Sequence, residues 1–366
     1  MSADGISRRK FVRDSTIVTA GLAAGLGAVG KTLAQDSAAV KRTRSYNPDM
    51  EYRRLGKTDL WVSAVCMGGH WKRIDKMVPG VFKGGGWLSA DLNSDGFRKN
   101  RREVIGRCLD VGINLIDACT REEVMAYSEA LRGKRDKMFF AFSWYQEEMR
   151  NAKFRTAKAL LQTLDKGMKQ AKLEYIDLWR IVMLERSSRH TAGEVEEMIK
   201  ALDTARKQGK VRFTGCSSHD RPHIKKMMET YPDVMQVVVT PYTASSKELP
   251  KDSIFEAARK HDVGLLGIKP FASASLFKGD SSPDSPHAEE DNKRARMAVR
   301  YILCNPAMTA PIPGLINAQQ VDNMAKAVRE RRKLDRTEAK QLEAAMDEAW
   351  AKLPADYEWL KDWKYV

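Results

Sequence analysis

The residues able to do chemistry in this chain gather at the ends of short apolar runs. Ile113–Asp117 ends in a carboxylate, Val263–Ile268 is followed by Lys269, and Val62–Met67 runs through Gly68 and Gly69 into His70. Val211–Cys216 is followed by Ser217 and Ser218, and Gln236 lies within Val234–Val239. Carboxylates, ammonium groups, phenols and imidazoles move protons, but near neutral pH they do so well only where neighbours tune them. Asp117, His70, Glu122, Tyr145 and Lys269 are therefore the candidates for proton transfer. Cys66, Cys119 and Cys216 stand at or just after run ends. Five cysteines, an odd number without a CxxC pair, argue against a disulfide framework, a zinc ribbon or a haem attachment site. These thiols read as small buried apolar groups. A different chemistry that recruits Cys119, His70 or Glu122 is the alternative, and it would show itself as bound metal or thiol reactivity.

Something must hold these run ends in one place. Eight apolar runs occur, at Val62–Met67, Ile113–Asp117, Met138–Phe142, Tyr175–Val182, Val211–Cys216, Val234–Val239, Val263–Ile268 and Met308–Ile312. Stretches with helical periodicity separate them, from Lys99–Asp110 to Gln319–Val328. Strands that alternate with helices imply parallel strands joined by crossovers, and near-continuous apolar runs imply strands buried on both faces. Eight such units predict a closed (β/α)8 TIM barrel over residues 51–333, with functional residues on the face where the strands end. No GxGxxG follows the first run, which speaks against a Rossmann sheet. Two βα connections are long. Residues 70–98, which carry Trp71 and Trp87, read as a lid or substrate wall, and residues 271–290, rich in Ser, Pro and Asp, as a partly disordered segment. Residues 334–366 read as a helical tail whose Trp359, Trp363 and Tyr365 pack back on the barrel or cover its mouth.

The chain opens with Ser7-Arg8-Arg9-Lys10-Phe11-Val12, an apolar Gly- and Ala-rich run over Ile17–Val29, and a small-residue site at Thr32-Leu33-Ala34. That order is the pattern of a twin-arginine export signal over residues 1–34, and residues 35–50 read as a flexible linker. The expected partner is the twin-arginine export machinery, and the expected location is periplasmic or otherwise extracytoplasmic. Ile17–Val29 is too short and too rich in glycine to read as a membrane span, and none is expected after signal removal. The formal net charge is +15, but the bases are spread along helical stretches where acids interleave, so nucleic-acid binding is not expected.

Tyr52-Arg53-Arg54-Leu55-Gly56-Lys57-Thr58 leading into Val62-Ser63-Ala64 resembles the opening of an aldo-keto reductase. Gly112 to Asp117 is similar to that family's second strand with its aspartate, Tyr175 to Trp179 to its fourth, and Gly209 to Ser217 to its fifth. Asn305-Pro306, Ile312-Pro313-Gly314, Gln319-Gln320-Val321 and Asn323 resemble its eighth strand and the loop beyond. The resemblance spans residues 51–330. It implies a nicotinamide cofactor, NADP(H) before NAD(H), extended across the barrel mouth. Ser217, Ser218 and Gln236 would bind the carboxamide, and Gly314, Gln320 and Asn323 the adenosine and phosphate end.

The family reduces carbonyls with a tyrosine as proton donor, a lysine that tunes it, an aspartate that orients the lysine and a histidine that positions the carbonyl. Asp117 stands at the aspartate position. Glu122 stands where the tyrosine is expected, Ser143 near the lysine position and Val182 at the histidine position, with Tyr127 the nearest tyrosine but at a helix position. Asp117 is thus expected to lack its charge partner. The reading is an exported NADP(H)-dependent oxidoreductase with altered proton-transfer residues, acting on an unknown small carbonyl or sugar-like substrate. The alternative is a catalytically inactive barrel that binds a ligand or serves as a scaffold.

Overall fold

In a computed structural model that describes residues 37–246, 253–330 and 332–361, eight parallel strands form one sheet in sequential order. A short helix α1 (Ala38–Lys41) and an antiparallel hairpin, β1 (Tyr52–Arg54) and β2 (Trp61–Ser63), precede it. The sheet strands are β3 (Met67–Gly68), β4 (Leu115–Ala118), β5 (Phe139–Phe142), β6 (Ile176–Val182), β7 (Val211–Ser217), β8 (Val237–Pro241), β9 (Gly264–Ile268) and β10 (Met308–Pro311). The helices between and after them are α2 (Asp95–Asp110), α3 (Arg121–Ala130), α4 (Ala157–Ala171), α5 (Ala192–Lys207), α6 (Arg221–Thr230), α7 (Ile254–Lys260), α8 (Ala288–Leu303) and α9 (Ala318–Arg329). A further helix, α10 (Arg336–Ala351), begins the tail.

The sheet closes on itself. Cys66 N–H donates to the Pro311 carbonyl at 3.0 Å, Gly68 N–H to Pro313 at 2.8 Å, and Gly68 pairs in parallel with Gly314. Glycine is needed on both sides of this seam. A Cβ on Gly314 would lie 2.7 Å from the Gly69 carbonyl oxygen, and one on Gly68 would lie 2.8 Å from the Ile312 side chain. The expected (β/α)8 barrel is therefore the fold.

Side chains pointing inward fill the barrel: Leu55, Leu60 and Val62 from the hairpin side meet Leu115, Phe139, Leu178, Val237 and Leu266 in one apolar cluster. The hairpin plugs the end where the strands begin, leaving the other end for the site. The helices start where polar caps stop the strands. Ser94, Thr120, Thr156 and Thr191 each accept a hydrogen bond from a first-turn amide of α2, α3, α4 and α5.

Part of the segment read as a linker is packed instead. Of residues 35–50, the described ones from 37 onward lie against the plugged end. Val40 and Met50 are buried, Thr43 donates to the Trp61 carbonyl, and Arg44 reaches Asp177 at 2.9 Å. Asp177 is fully buried and also meets Arg135 at 2.8 Å and Arg212 at 2.9 Å, so three guanidinium groups from three segments converge on one carboxylate. Burial would raise its carboxyl, but the arginines hold it well below the ordinary value.

Residues 271–290, read as partly disordered, have a defined path. Asp291 accepts from the Lys278 and Gly279 amides at 2.8 Å, and Phe271 packs on Phe277. The tail helix α10 docks through Leu342, Ala345 and Met346 onto Met297, Ala298 and Leu276. Residues 1–36, with the export pattern, and Trp363 and Tyr365 lie outside the described residues. No helix among the described residues is long and apolar enough to cross a membrane.

Candidate active site

A cavity of about 560 Å³ opens where the sheet strands end. Its floor carries Asp117, at the end of β4, and Arg180, in the middle of β6. They meet side-on: Arg180 Nε donates to Asp117 Oδ1 and Nη2 to Oδ2, both at 2.6 Å. Both side chains are buried, where a charge persists only if paired. Burial works against the Arg180 guanidinium, yet Asp117 more than compensates and holds it protonated. The expectation that Asp117 lacks a charge partner is thus corrected. The signal was present in sequence, since a lone arginine inside the apolar run Tyr175–Val182 can be buried only with a counter-charge.

Cys119 lines the cavity beside this pair. Burial pushes its thiol up to about 11 although Arg180 pulls the other way, so it is not poised as a nucleophile near neutral pH. Burial likewise raises Cys216 to about 12 and Cys66 well above its ordinary value. Among the described residues no three potential metal-ligating side chains converge.

One wall is a histidine–carboxylate pair. His70 Nδ1 lies 2.7 Å from Oε1 of the fully buried Glu123, which also accepts from the His70 amide at 2.7 Å and, through Oε2, from the Cys119 amide at 2.6 Å. Thr120 caps α3 and so sets Glu123 in its first turn, aimed back at the mouth. Burial raises the Glu123 carboxyl, but His70 and the two amides outweigh it and hold it ionised. An ionised carboxylate at Nδ1 fixes the imidazole orientation and turns Nε2 away. Trp87 stacks on His70 at 4.5 Å and joins the cavity wall, as expected for the 70–98 loop. Trp71 is a core residue instead, edge-on to Phe97 and Tyr127.

The two long loops meet over the mouth: Arg73 donates to the Gly279 carbonyl at 2.8 Å, and Lys76 pairs with Asp280 at 3.2 Å. The tail closes the remaining side. Tyr357 and Trp359 both line the cavity, and Trp359 stacks on His219 at 4.1 Å.

Of the residues expected at the cofactor, Ser217 lies at the end of β7 in the cavity, and its hydroxyl makes no hydrogen bond to the described residues. Ser218 does not line the cavity. Its hydroxyl bonds the Leu184 and Glu185 carbonyls and accepts from the Asp220 amide, bracing the loop. Gln236 precedes β8, at the plugged end of the barrel, and its side-chain oxygen accepts from the Thr214 amide at 3.1 Å. Ser218 and Gln236 thus both bond the framework, and Gln236 lies the length of a whole strand from the mouth. Gly314, Gln320 and Asn323 line the far end of the same cavity, at the start of α9. Gln320 accepts from the Ile316 amide, and Asn323 bridges Arg296 and the Asn292 carbonyl, so both amides shape the loop as well as face the cavity.

The model of the aldo/keto reductase family matches residues 85–297, more than half of the chain. The chain belongs to the aldo/keto reductase family. Relatives of this aldo/keto reductase include an uncharacterized oxidoreductase, YrpG, of Bacillus subtilis, 22% identical over 325 residues that make up 76% of this chain and 91% of the relative. An L-glyceraldehyde 3-phosphate reductase of Escherichia coli is 22% identical over 207 residues, 47% of this chain and 58% of that protein. Among solved structures, the holo form of aldo-keto reductase AKR11C1 from Bacillus halodurans superposes with a TM-score of 0.58 at 18% identity, over 84% of this chain and 99% of that one. A putative aldo-keto reductase from Pseudomonas aeruginosa gives a TM-score of 0.54 at 18% identity, over 80% of this chain and 99% of that one.

Glu122 and Ser143, which the resemblance sets at and near the tyrosine and lysine positions, serve the framework of this aldo/keto reductase. Glu122 accepts from Gln146 at 3.0 Å. Ser143 is buried and donates to Glu148, which also accepts from the Val182 amide and the Trp179 indole. Burial raises the Glu148 carboxyl despite these bonds. Tyr127 is a buried core residue whose hydroxyl donates to the Gly68 carbonyl at 3.3 Å.

Proposed function

We propose that this protein is an exported, NADP(H)-dependent oxidoreductase that reduces the carbonyl of a small polar or sugar-like substrate, using proton-transfer residues other than those its family employs. The observation that carries this reading is the continuity of one cavity. It runs from the charged floor at Asp117 and Arg180, past the free Ser217 hydroxyl, to Gly314, Gln320 and Asn323 at the start of α9. That shape suits an extended dinucleotide. Ser217 would hold the nicotinamide carboxamide, the amides at the start of α9 would face the phosphates, and the Val239 and Ile268 side chains offer apolar wall to the ring. When bound, the reduced cofactor supplies a hydride to the carbonyl carbon. The Asp117–Arg180 pair would keep a fixed dipole in the wall of the cavity, and His70, oriented by Glu123, would donate to or accept from a substrate hydroxyl or carbonyl oxygen. The relatives named as oxidoreductases and as a glyceraldehyde 3-phosphate reductase support the same reaction class.

Export rests on the paired arginines and the apolar run that follows them. The test of the main reading is titration of NADPH and of NADH into residues 35–366, followed by tryptophan fluorescence and calorimetry. Micromolar binding with a preference for NADPH supports it. Absence of binding by either dinucleotide would make the cavity a site for another ligand and favour the scaffold reading. Fusion of residues 1–34 to a reporter that must fold before export, with Arg8 and Arg9 changed to Lys as the control, tests the route.

A further inference from the structure

The cavity holds a phenol set among cations. Tyr357 comes from the turn Ala355–Lys361 of the tail, well past the last residue the family model matches. Lys72, from the loop after β3, donates from Nζ to the Tyr357 hydroxyl at 2.6 Å and to Ser273 Oγ at 3.2 Å, with its Nζ 4.4 Å from the centre of the Tyr357 ring. Lys269, at the end of β9, places its Nζ 5.4 Å from the same ring centre. No carboxylate among the described residues pairs with either lysine. Three segments far apart in sequence therefore bring two ammonium groups to one tyrosine in the cavity that Asp117 and Arg180 also line.

We propose that Tyr357, carried by the tail rather than by the barrel, delivers the proton to the carbonyl oxygen in the reduction proposed above, on which this inference rests. The carbonyl carbon takes the hydride of the reduced nicotinamide, the C=O π pair moves to oxygen, and that oxygen takes the Tyr357 proton. The alcohol leaves, and the phenolate, stabilised by Lys72 and Lys269, regains a proton from solvent. Burial alone would raise the phenol, but Lys269 and Lys72 outweigh it and hold it below its ordinary value. Tyr145, the other phenol lining the cavity, is raised instead, by burial and by Cys119, although Arg150 opposes this. The tail is then part of the active site, and its docking through α10 onto α8 holds the donor in place.

The test uses the protein without its first 34 residues, methylglyoxal and 4-nitrobenzaldehyde as carbonyl probes, and NADPH. Tyr357→Phe is expected to lower kcat by about 100-fold or more while NADPH affinity stays within about twofold. Near-ultraviolet difference absorbance between wild type and Tyr357→Phe is expected to show one tyrosinate forming below the ordinary tyrosine range. Lys72→Met should move the alkaline limb of the kcat profile to higher pH, a shift that loss of packing would not produce. Retention of kcat in Tyr357→Phe, loss of it in Tyr145→Phe alone, or no turnover of either probe by a wild-type protein that binds NADPH would overturn the donor role. Failure of the wild type to bind any nicotinamide dinucleotide would instead overturn the oxidoreductase reading, and the donor role with it.

Discussion

Arg180 Nε and Nη2 each sit 2.6 Å from a different oxygen of Asp117, so a strand residue two places before the end of β6 completes the charge of one at the end of β4. Breaking such a buried pair strands a charge. Asp117→Asn is expected to cost about 3–5 kcal/mol in urea denaturation. The double variant Asp117→Leu with Arg180→Met should cost less than the sum of the single changes, because it removes both charges from the interior. Additive costs would mean that the pair contributes nothing as a pair.

The plugged end of the barrel should govern acid stability. The folded-state carboxyl of Asp177 is depressed by Arg44, Arg135 and Arg212. Its contribution is therefore fully present above the unfolded aspartate value of about 3.9 and is lost as pH falls below it towards the depressed folded value. Asp177→Asn should flatten the fall of thermal stability over that acid window and lower stability at neutral pH. An unchanged acid limb would remove Asp177 from the account.

Neighbouring serines should separate in their effects. Ser217→Ala removes the hydroxyl facing the cavity and should weaken NADPH binding by about 2–10-fold with little change in stability. Ser218→Ala removes the hydroxyl that bonds Leu184, Glu185 and Asp220, and should cost about 1–3 kcal/mol of stability with NADPH affinity kept. Paired calorimetric and unfolding measurements decide it, and a reversal of the two outcomes would place the cofactor elsewhere.

Thiol labelling should follow exposure rather than proximity to the site. Cys119, held up to about 11, should react with iodoacetamide far more slowly at pH 7 than the exposed Cys304, and its rate should climb as pH rises towards that value. Mass spectrometry of labelled peptides reads both. Fast labelling of Cys119 at neutral pH would revive a thiol chemistry for this barrel.

The sequence by itself determined the barrel, the order of its strands and which ends face the mouth. Those features come from local period and local breakers: eight buried runs, helices started by Ser and Thr caps, and glycines at the seam where Gly68 meets Gly314. It also placed Asp117, Ser217, His70 and Lys269 at the mouth, because a strand end is a position along the chain. What only the tertiary structure decided is who meets whom across the barrel. Arg180 finds Asp117 from two strands away, Glu123 finds His70 from the far side of a long loop, and Tyr357 finds Lys72 from 285 residues further along the chain. Gln236 is a further case: it precedes β8, and only the neighbouring strand shows that its side-chain oxygen is taken by the Thr214 amide. Partners that are distant in sequence leave no periodic trace, so the site's charges could be paired only once closure of the sheet brought their strands and loops around one cavity.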